Sequence, residues 1–375
     1  MRVPEGWKVK TISNILDKVS RPVEVEEKGL YREIGIRSHG KGIFYKEPIS
    51  GVQLGNKRVF HIEPNCLVIN IVFAWEQAVA KTTDAEIGMI ASHRFPMFVP
   101  KNDECDIDFI HHLFKTKHGK YLLELASPGG AGRNKTLGQS EFAKLELLLP
   151  PTVEQQKIAQ ILSTWDKAIT TTEQLLANSQ QQKKALMQQL LTGKKRLLDE
   201  DGVRFSGEWL SKFLGDFCEI STGKSNREDS TSSSGMYTFF DRSQDIRTSN
   251  IFLFDTEAVI VAGEGQEFVP KYFSGKFDLH QRTYAIMGFA NSWGKFIYFY
   301  LGHFNSFLLS QAVGSTVKSL RLPMFQKMPI KLPSLKEQQK IATVLTIADR
   351  EIELLQTKLE ALKQEKKALM QQLLT

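Results

Sequence analysis

The sequence predicts an α+β protein: two mixed α/β domains separated by two long antiparallel helices that form a coiled coil. Three observations predict it. The segment from Leu149-Pro150 to Thr192 recurs without a gap from Leu332-Pro333 to Thr375, at a constant offset of 183 that takes Glu154 to Glu337 and Thr192 to Thr375. Each copy alternates apolar spacings of four and three, the pattern of a coiled-coil seam. A weaker echo, Gly6-Trp7-Lys8-Val9-Lys10-Thr11-Ile12 against Glu208-Trp209-Leu210-Ser211-Lys212-Phe213-Leu214, opens the two unlike regions that precede the copies.

A chain of 375 residues accommodates two ordinary domains. At 41% hydrophobic and 24% charged residues it reads as globular rather than disordered. A net charge of +7 and a pI of 9.1 fit a polyanionic partner, though basicity alone does not identify one. Cys66, Cys105 and Cys218 are far apart with no CxxC pairing, which argues against a disulfide framework or a zinc site and for a reducing cytosol. Met1 to Trp7 lacks the apolar core of a secretory signal. The most apolar stretch, Leu67 to Trp75, is interrupted by Asn70 and falls short of the roughly 20 residues a bilayer span needs, so it reads as a buried strand or helix. A cytoplasmic protein with no membrane partner is expected.

The chain divides into a first domain (residues 1–148), a repeated helix with its linker (149–204), a second domain (205–331) and the second repeated helix (332–375). Pro150-Pro151 and Pro333 stop a preceding strand, and Thr152 and Ser334 are placed to cap the helices that follow. Ala, Leu, Gln, Lys and Glu dominate both helices, and no Pro or Gly interrupts them before Gly193. The first seam is Ile158, Leu162, Trp165, Ile169, Thr172, Leu176, Ser179, Lys183, Leu186 and Leu190, with a polar centre. The second is Ile341, Leu345, Ala348, Ile352, Leu355, Leu359, Leu362, Lys366, Leu369 and Leu373. Some 38 residues at about 1.5 Å each give a rod of about 57 Å. Two seams of equal length in one chain suit each other as antiparallel partners, which would hold two unlike readers apart at a fixed spacing.

Two unlike domains, each followed by Leu-Pro, a Glu-Gln-Gln-Lys-Ile-Ala helix start (Glu154 to Ala159, Glu337 to Ala342) and a Leu-rich helix, resemble the specificity subunit of type I restriction–modification enzymes over essentially the whole chain. The resemblance implies that the two domains are target recognition domains, each reading half of a bipartite, asymmetric target in double-stranded DNA. It further implies a non-catalytic chain that binds no cofactor. Its partners would be two modification subunits, which methylate adenine at N6 with S-adenosylmethionine, and two restriction (motor-nuclease) subunits that use ATP and Mg2+. The second helix runs to Thr375 with no tail, a departure from the family pattern that a permuted arrangement would account for.

Motifs for chemistry are weak. Thr222-Gly223-Lys224-Ser225 matches the end of a P-loop, but Cys218 stands where the first glycine is required, so a turn after a strand is the better reading. Gly263-Glu264-Gly265 lacks the third glycine of a dinucleotide fingerprint and reads as a tight turn. His111, His112 and His118 have no metalloprotease frame and read as solvated or locally bonded. An Asn-Pro-Pro-Tyr-type methyltransferase motif is absent, and Glu26-Glu27-Lys28 is a surface charge run rather than a piece of a nuclease site.

Base reading calls for forked donors and acceptors, and phosphate contacts call for cations and backbone amides. In the first domain the Gly129–Thr136 loop supplies Arg133, Asn134 and Lys135. In the second, Lys224, Ser225, Asn226 and Arg227 form one polar cluster, with Arg242, Gln266, Lys271, Arg282, Lys318 and Arg321 as further candidates; Ser230 to Gly235 reads as a mobile loop.

Overall fold

In each half of the sequence, the strand before the Leu-Pro pairs with the strand that follows the opening tryptophan. Lys8–Thr11 runs antiparallel to Glu146–Leu149, and Leu210–Phe213 antiparallel to Pro329–Leu332. The backbone N–H of Ile12 then donates to the carbonyl of Leu145 at 2.9 Å, and that of Leu214 to Met328 at 2.9 Å. The echoes in sequence are therefore the two ends of one closing strand pair, made twice. The structure is a computed structural model and describes residues 5–129, 135–229, 235–243 and 245–374. It forms two units, Met1–Glu173 with Lys358–Thr375, and Gln174–Thr357.

The first unit holds a four-stranded antiparallel sheet in the order Leu16–Val19, Met97–Pro100, Leu67–Ile69, Val79–Lys81. The apolar run at Leu67 is its most buried strand. Leu67 and Ile69 face one cluster with the helix Ile107–Phe114, while Val68 faces another with Ile34, Ile36 and Ala80. Alternation across a sheet covered on both faces explains the unbroken apolar run. Asn70 ends it, its side-chain oxygen accepting from the N–H of Val72 at 3.1 Å.

The second unit is built on a six-stranded mixed sheet, ordered Glu219–Thr222, Thr283–Met287, Phe254–Ala262, Lys271–Leu279, Tyr237–Phe240, Arg247–Ser249. Within it, Lys271–Leu279 and Tyr237–Phe240 pair in parallel and the other neighbours antiparallel. Val259 and Val261 face the helix Gly294–His303, while Ala258 and Ile260 face Phe240, Phe277 and Leu279.

The repeated segments form two 39-residue helices, Thr152–Leu190 and Leu335–Leu373. Ser334 caps the second, accepting from the N–H of Glu337 at 3.4 Å. Thr152 does not cap the first. The helix begins at Thr152 itself, the carbonyl of Pro151 takes the first N–H groups, and the Thr152 hydroxyl is donated to the carbonyl of Asp103. The core of the first unit includes Ile158, Ala159 and Leu162 from the start of the first helix and Leu369, Leu373 and Leu374 from the end of the second. In the second unit Leu186, Leu190 and Leu191 share a core with Ile341, Ala342 and Leu345.

Ion pairs fix the direction of these helix segments. In the first unit Asp166 pairs with Lys366 at 2.5 Å and Glu173 with Lys363 at 3.0 Å, so rising positions meet falling ones and the segments are antiparallel. In the second, Ser179 donates to Glu351 at 3.0 Å and Lys183 pairs with Asp349. Asp166–Lys366 and Asp349–Lys183 are the same pair seen through the repeat. Of the seam positions, Ile158, Leu162, Thr172, Leu190, Ile341, Leu345, Leu359 and Lys366 are buried. Trp165, Ile169, Leu176, Ser179, Lys183, Leu186, Ala348, Ile352, Leu355, Leu362, Leu369 and Leu373 are half-buried.

The shared Glu-Gln-Gln-Lys-Ile-Ala start has a structural use in its first glutamine. The Gln155 amide donates to the carbonyl of Pro150 at 2.9 Å and accepts from the N–H of Asp106 at 3.0 Å. Gln338 repeats this with Pro333 at 2.9 Å and Trp293 at 3.0 Å. Asp106 and Trp293 are the N-caps of Ile107–Phe114 and Gly294–His303, so one buried amide ties the Leu-Pro turn, the long helix and a core helix together in each unit.

One further expectation is corrected. Glu264–Gly265 is a two-residue strand paired with Lys318–Ser319, not a tight turn; a Cβ on Gly263 would come within 2.8 Å of the Arg282 carbonyl, which accounts for the glycine. Of the histidines expected to be solvated or locally bonded, His112 is buried and locally bonded, with its Nε2 3.4 Å from the Ser163 hydroxyl and its Nδ1 3.9 Å from Asp166. Burial is the main cause holding the His112 imidazole down to about 4, and burial likewise holds His111 well below its ordinary value. Burial also pushes the thiols up, Cys66 to about 11 and Cys105 and Cys218 to about 12, and the three are unpaired. The Glu26-Glu27-Lys28 run is exposed as expected. Among the described residues, no helix is long and apolar enough to cross a membrane.

Candidate nucleic-acid interface

Four candidate readers of the second unit, Asn226, Arg227, Arg242 and Arg282, line one open cleft of about 460 Å³ together with Glu228, Asp241, His280 and Gln281. Two loops build it. Gly223 lets the segment after the strand Glu219–Thr222 lie against the strand end at Leu279, where a Cβ would stand 1.7 Å from the Leu279 carbonyl oxygen. The N–H of Ser225 donates to that carbonyl at 3.3 Å, and its carbonyl accepts from Gln281 at 3.0 Å. Ser225 is buried, its hydroxyl donated to Asp278 at 2.7 Å, so it fastens the loop from inside while Lys224 is exposed beside it. Gln281 in turn donates to the Asn226 side-chain oxygen at 2.6 Å.

Two carboxylates organise the guanidiniums. Asp241, buried at the cleft floor, lies 3.7 Å from Arg227 and 3.9 Å from Arg247. Burial would raise its carboxyl, but the hydroxyl and N–H of Ser243 and the charges of Arg247 and Arg227 outweigh burial and hold it below the usual carboxylate range. Glu264, on the short ribbon at the rim, accepts from Arg282 through both oxygens at 3.0 Å and lies 3.6 Å from Arg242. His280 accepts from the N–H of Arg282 through Nδ1 at 3.1 Å, and burial keeps its imidazole below the ordinary value. Forked donors with amide groups beside them are the chemistry that reads guanine and adenine edges and grips phosphate.

The other candidates in this unit do not line the cleft. Lys318 is opposite Gly265 on the ribbon, and Gln266 follows it, donating to the Thr316 carbonyl at 2.9 Å. Lys271 is turned under the cleft, donating to the Ser243 carbonyl at 2.6 Å, with its pKa lowered by burial. Arg321 is exposed at the start of the helix Leu322–Gln326. Of Ser230 to Gly235, only Gly235 falls within the described residues.

In the first unit Arg133 and Asn134 lie outside the described residues, and Lys135 stands 5.6 Å from the ring centroid of Trp75. The unit has a basic cleft that sequence reasoning missed. It is about 560 Å³, with Lys18, Lys57, Arg58 and His93 on its walls beside Phe60 and Phe95. Lys18 donates to Gln139 at 2.8 Å and Lys57 is paired to Glu33 at 3.1 Å, while Arg58 is exposed. These cations come from separate segments, joined by the bridge from Pro22 to Phe60 and the pairing of Lys18 with Phe98. No local pattern marks them, and only the strand pairing would have found them.

Among the described residues no cluster of three His, Cys, Asp or Glu side chains is arranged to hold a metal ion.

Comparison with known proteins bears on the family and the fold. The family model described as "Type I restriction modification DNA specificity domain" matches residues 4–178 and 206–364. The EcoDI specificity subunit, from a type I restriction enzyme of Escherichia coli, is 32% identical over 168 residues; the match takes in 45% of this chain and 37% of that subunit's length. Among solved structures, the S subunit of a type I system from M. genitalium superposes with a TM-score of 0.67 at 14% identity, covering 100% of this chain and 98% of that one. The HsdS subunit from Thermoanaerobacter tengcongensis superposes at 0.51 and 16% identity, with coverage of 100% and 98%. At those identities the superpositions speak for the fold, and the family model speaks for descent. The duplicated Leu-Pro and Glu-Gln-Gln-Lys-Ile-Ala elements, the α+β units they close and the family match over both halves place this chain in the type I restriction–modification DNA specificity family, the non-catalytic specificity components of those systems.

Proposed function

We propose that this chain reads a bipartite, asymmetric target in duplex DNA, one half through the Arg227–Arg242–Arg282 cleft of the second unit and the other through the Lys18–Arg58 cleft of the first. The observation that carries the reading is the convergence of Asn226, Arg227, Arg242 and Arg282, four residues spread over the second domain, on the walls of a single open cleft. The clefts are lined differently, one by Lys18, Lys57 and Arg58 beside Phe60 and Phe95, the other by three arginines with Asn226, Glu228 and Asp241, which suits two unlike half-sites. The two long helices act as an antiparallel coiled coil that sets the gap between half-sites and offers docking faces to two modification and two restriction subunits. The matched seams and the twice-made Asp–Lys pair support that role. Methyl transfer from S-adenosylmethionine and ATP-driven cleavage belong to those partners.

The test is fluorescence anisotropy of the full chain with a mixed-sequence duplex, titrated over a range of salt. Arg227→Ala in one cleft and Arg58→Ala in the other should each weaken binding. Each should also make the slope of log K against log salt shallower, by about 0.9 for every phosphate the variant no longer neutralises. Unchanged affinity and slope in both variants would remove the clefts from the DNA interface.

A further inference from the structure

The two carboxylates of the second cleft are not equivalent, and the difference points to a specificity device. Asp241 is walled in: its side chain is 4% exposed, and Ser243 bonds it through both hydroxyl and N–H. It is a fixed counter-charge in the floor. Glu264 stands at the rim, 20% exposed, and among the described residues its carboxylate accepts from Arg282 at 3.0 Å, with Arg242 at 3.6 Å. Both oxygens accept from one nitrogen of Arg282, Nη1, a charge-assisted contact of the kind a phosphate would make. Its position is set by the ribbon, where Glu264 pairs with Ser319 and Gly265 with Lys318. The carboxylate is therefore held where it competes with DNA for two arginines of the cleft.

We propose that Glu264 is a specificity-determining residue: an internal stand-in for phosphate that keeps Arg242 and Arg282 from gripping DNA of any sequence. A duplex of the wrong sequence offers only phosphate, which must displace a carboxylate already in place, and the exchange gains little. The right half-site offers base edges to the released guanidiniums as well, so the exchange is favourable there. Arg227, bound at the floor by Asp241 rather than by Glu264, supplies attraction to any sequence. This inference rests on the DNA-reading role of the cleft.

The experiment compares the full chain with Glu264→Gln, Glu267→Gln and the triple variant Glu264→Gln/Arg242→Ala/Arg282→Ala, by anisotropy with the mixed-sequence duplex across a salt series. Glutamine keeps the shape of Glu264 and removes its charge. Glu264→Gln should bind the mixed duplex several-fold more tightly and steepen the salt slope by up to about 1.8, the value for two more neutralised phosphates. The triple variant should lose that gain. Glu267→Gln, which removes an exposed carboxylate three residues away, should give neither change. Equal gains from Glu264→Gln and Glu267→Gln would make the effect one of net charge and overturn the proposal. So would an unchanged slope in Glu264→Gln while Arg227→Ala still weakens binding, which leaves the cleft reading standing. Loss of any effect from Arg227→Ala removes the cleft reading and the gate with it.

Discussion

Gln155 and Gln338 show how much one side chain does in this fold. Each is buried, donating to a proline carbonyl and accepting from the N–H at the cap of a core helix. Alanine at either position leaves a buried carbonyl and a partly buried N–H unsatisfied, so Gln155→Ala and Gln338→Ala should each cost about 1–3 kcal/mol in denaturant unfolding of their own unit. His112 is the second case. Its imidazole sits at about 4 in the folded chain against an ordinary 6.5, so the unfolded chain takes up the proton first as the pH falls. The stability tied to a neutral His112 is complete above about pH 6.5 and is lost as the pH falls toward 4, on the order of 3 kcal/mol if the whole shift is realised. The second unit has Phe299 at the matching place, six residues after the N-cap that bonds the shared glutamine, with Lys183 5.8 Å from its ring centroid. His112→Phe should therefore flatten the acid limb of the melting temperature between pH 6.5 and 4; an unchanged limb would mean that other groups carry it. The repeated glutamine is visible in the sequence, but its partners at Asp106 and Trp293 are not, because they lie in the unlike parts of the chain.

At the scale of elements, the long helices are the most legible part. Length, seam and the prolines that precede them follow from residue type and spacing, and the helices run to within a residue or two of the expected bounds. The polar seam positions read in sequence only as tolerated. The structure gives Lys183 and Lys366 carboxylate partners one position past the seam, at Asp349 and Asp166, and a heptad pattern written in apolar residues passes over such pairs. The end of the second helix belongs to the core of the first unit through Leu369, Leu373 and Leu374. Leu373→Asp should thus raise amide exchange in the first unit, most in the start of the first long helix and in Ile107–Phe114, and leave the sheet of the second unit protected. Equal loosening of both units would contradict that assignment. The candidate clefts are partly legible. Arg227, Arg242 and Arg282 stand out one by one as forked donors, but their common cleft depends on the parallel bridge of Ser225 to His280, and the cleft of the first unit on strand pairings with no local signal.

At the scale of the whole molecule, the chain is two unlike units closed by like ends. Duplication preserves the strand pair, the glutamine tie and the Asp–Lys pair, each of which holds a unit together. It does not preserve the walls of the clefts, where one unit carries Lys18, Lys57 and Arg58 and the other four residues gathered from distant loops. A scaffold made twice with different clefts is what a reader of two different half-sites requires. The measurement that tests this most directly is the map of methylated adenines in cells that co-express this chain, or its Arg282→Ala variant, with a type I modification subunit. The account predicts one bipartite motif with a fixed gap for the parent chain, and for Arg282→Ala a motif relaxed in one half and intact in the other. A continuous motif, or relaxation of both halves together, would contradict it.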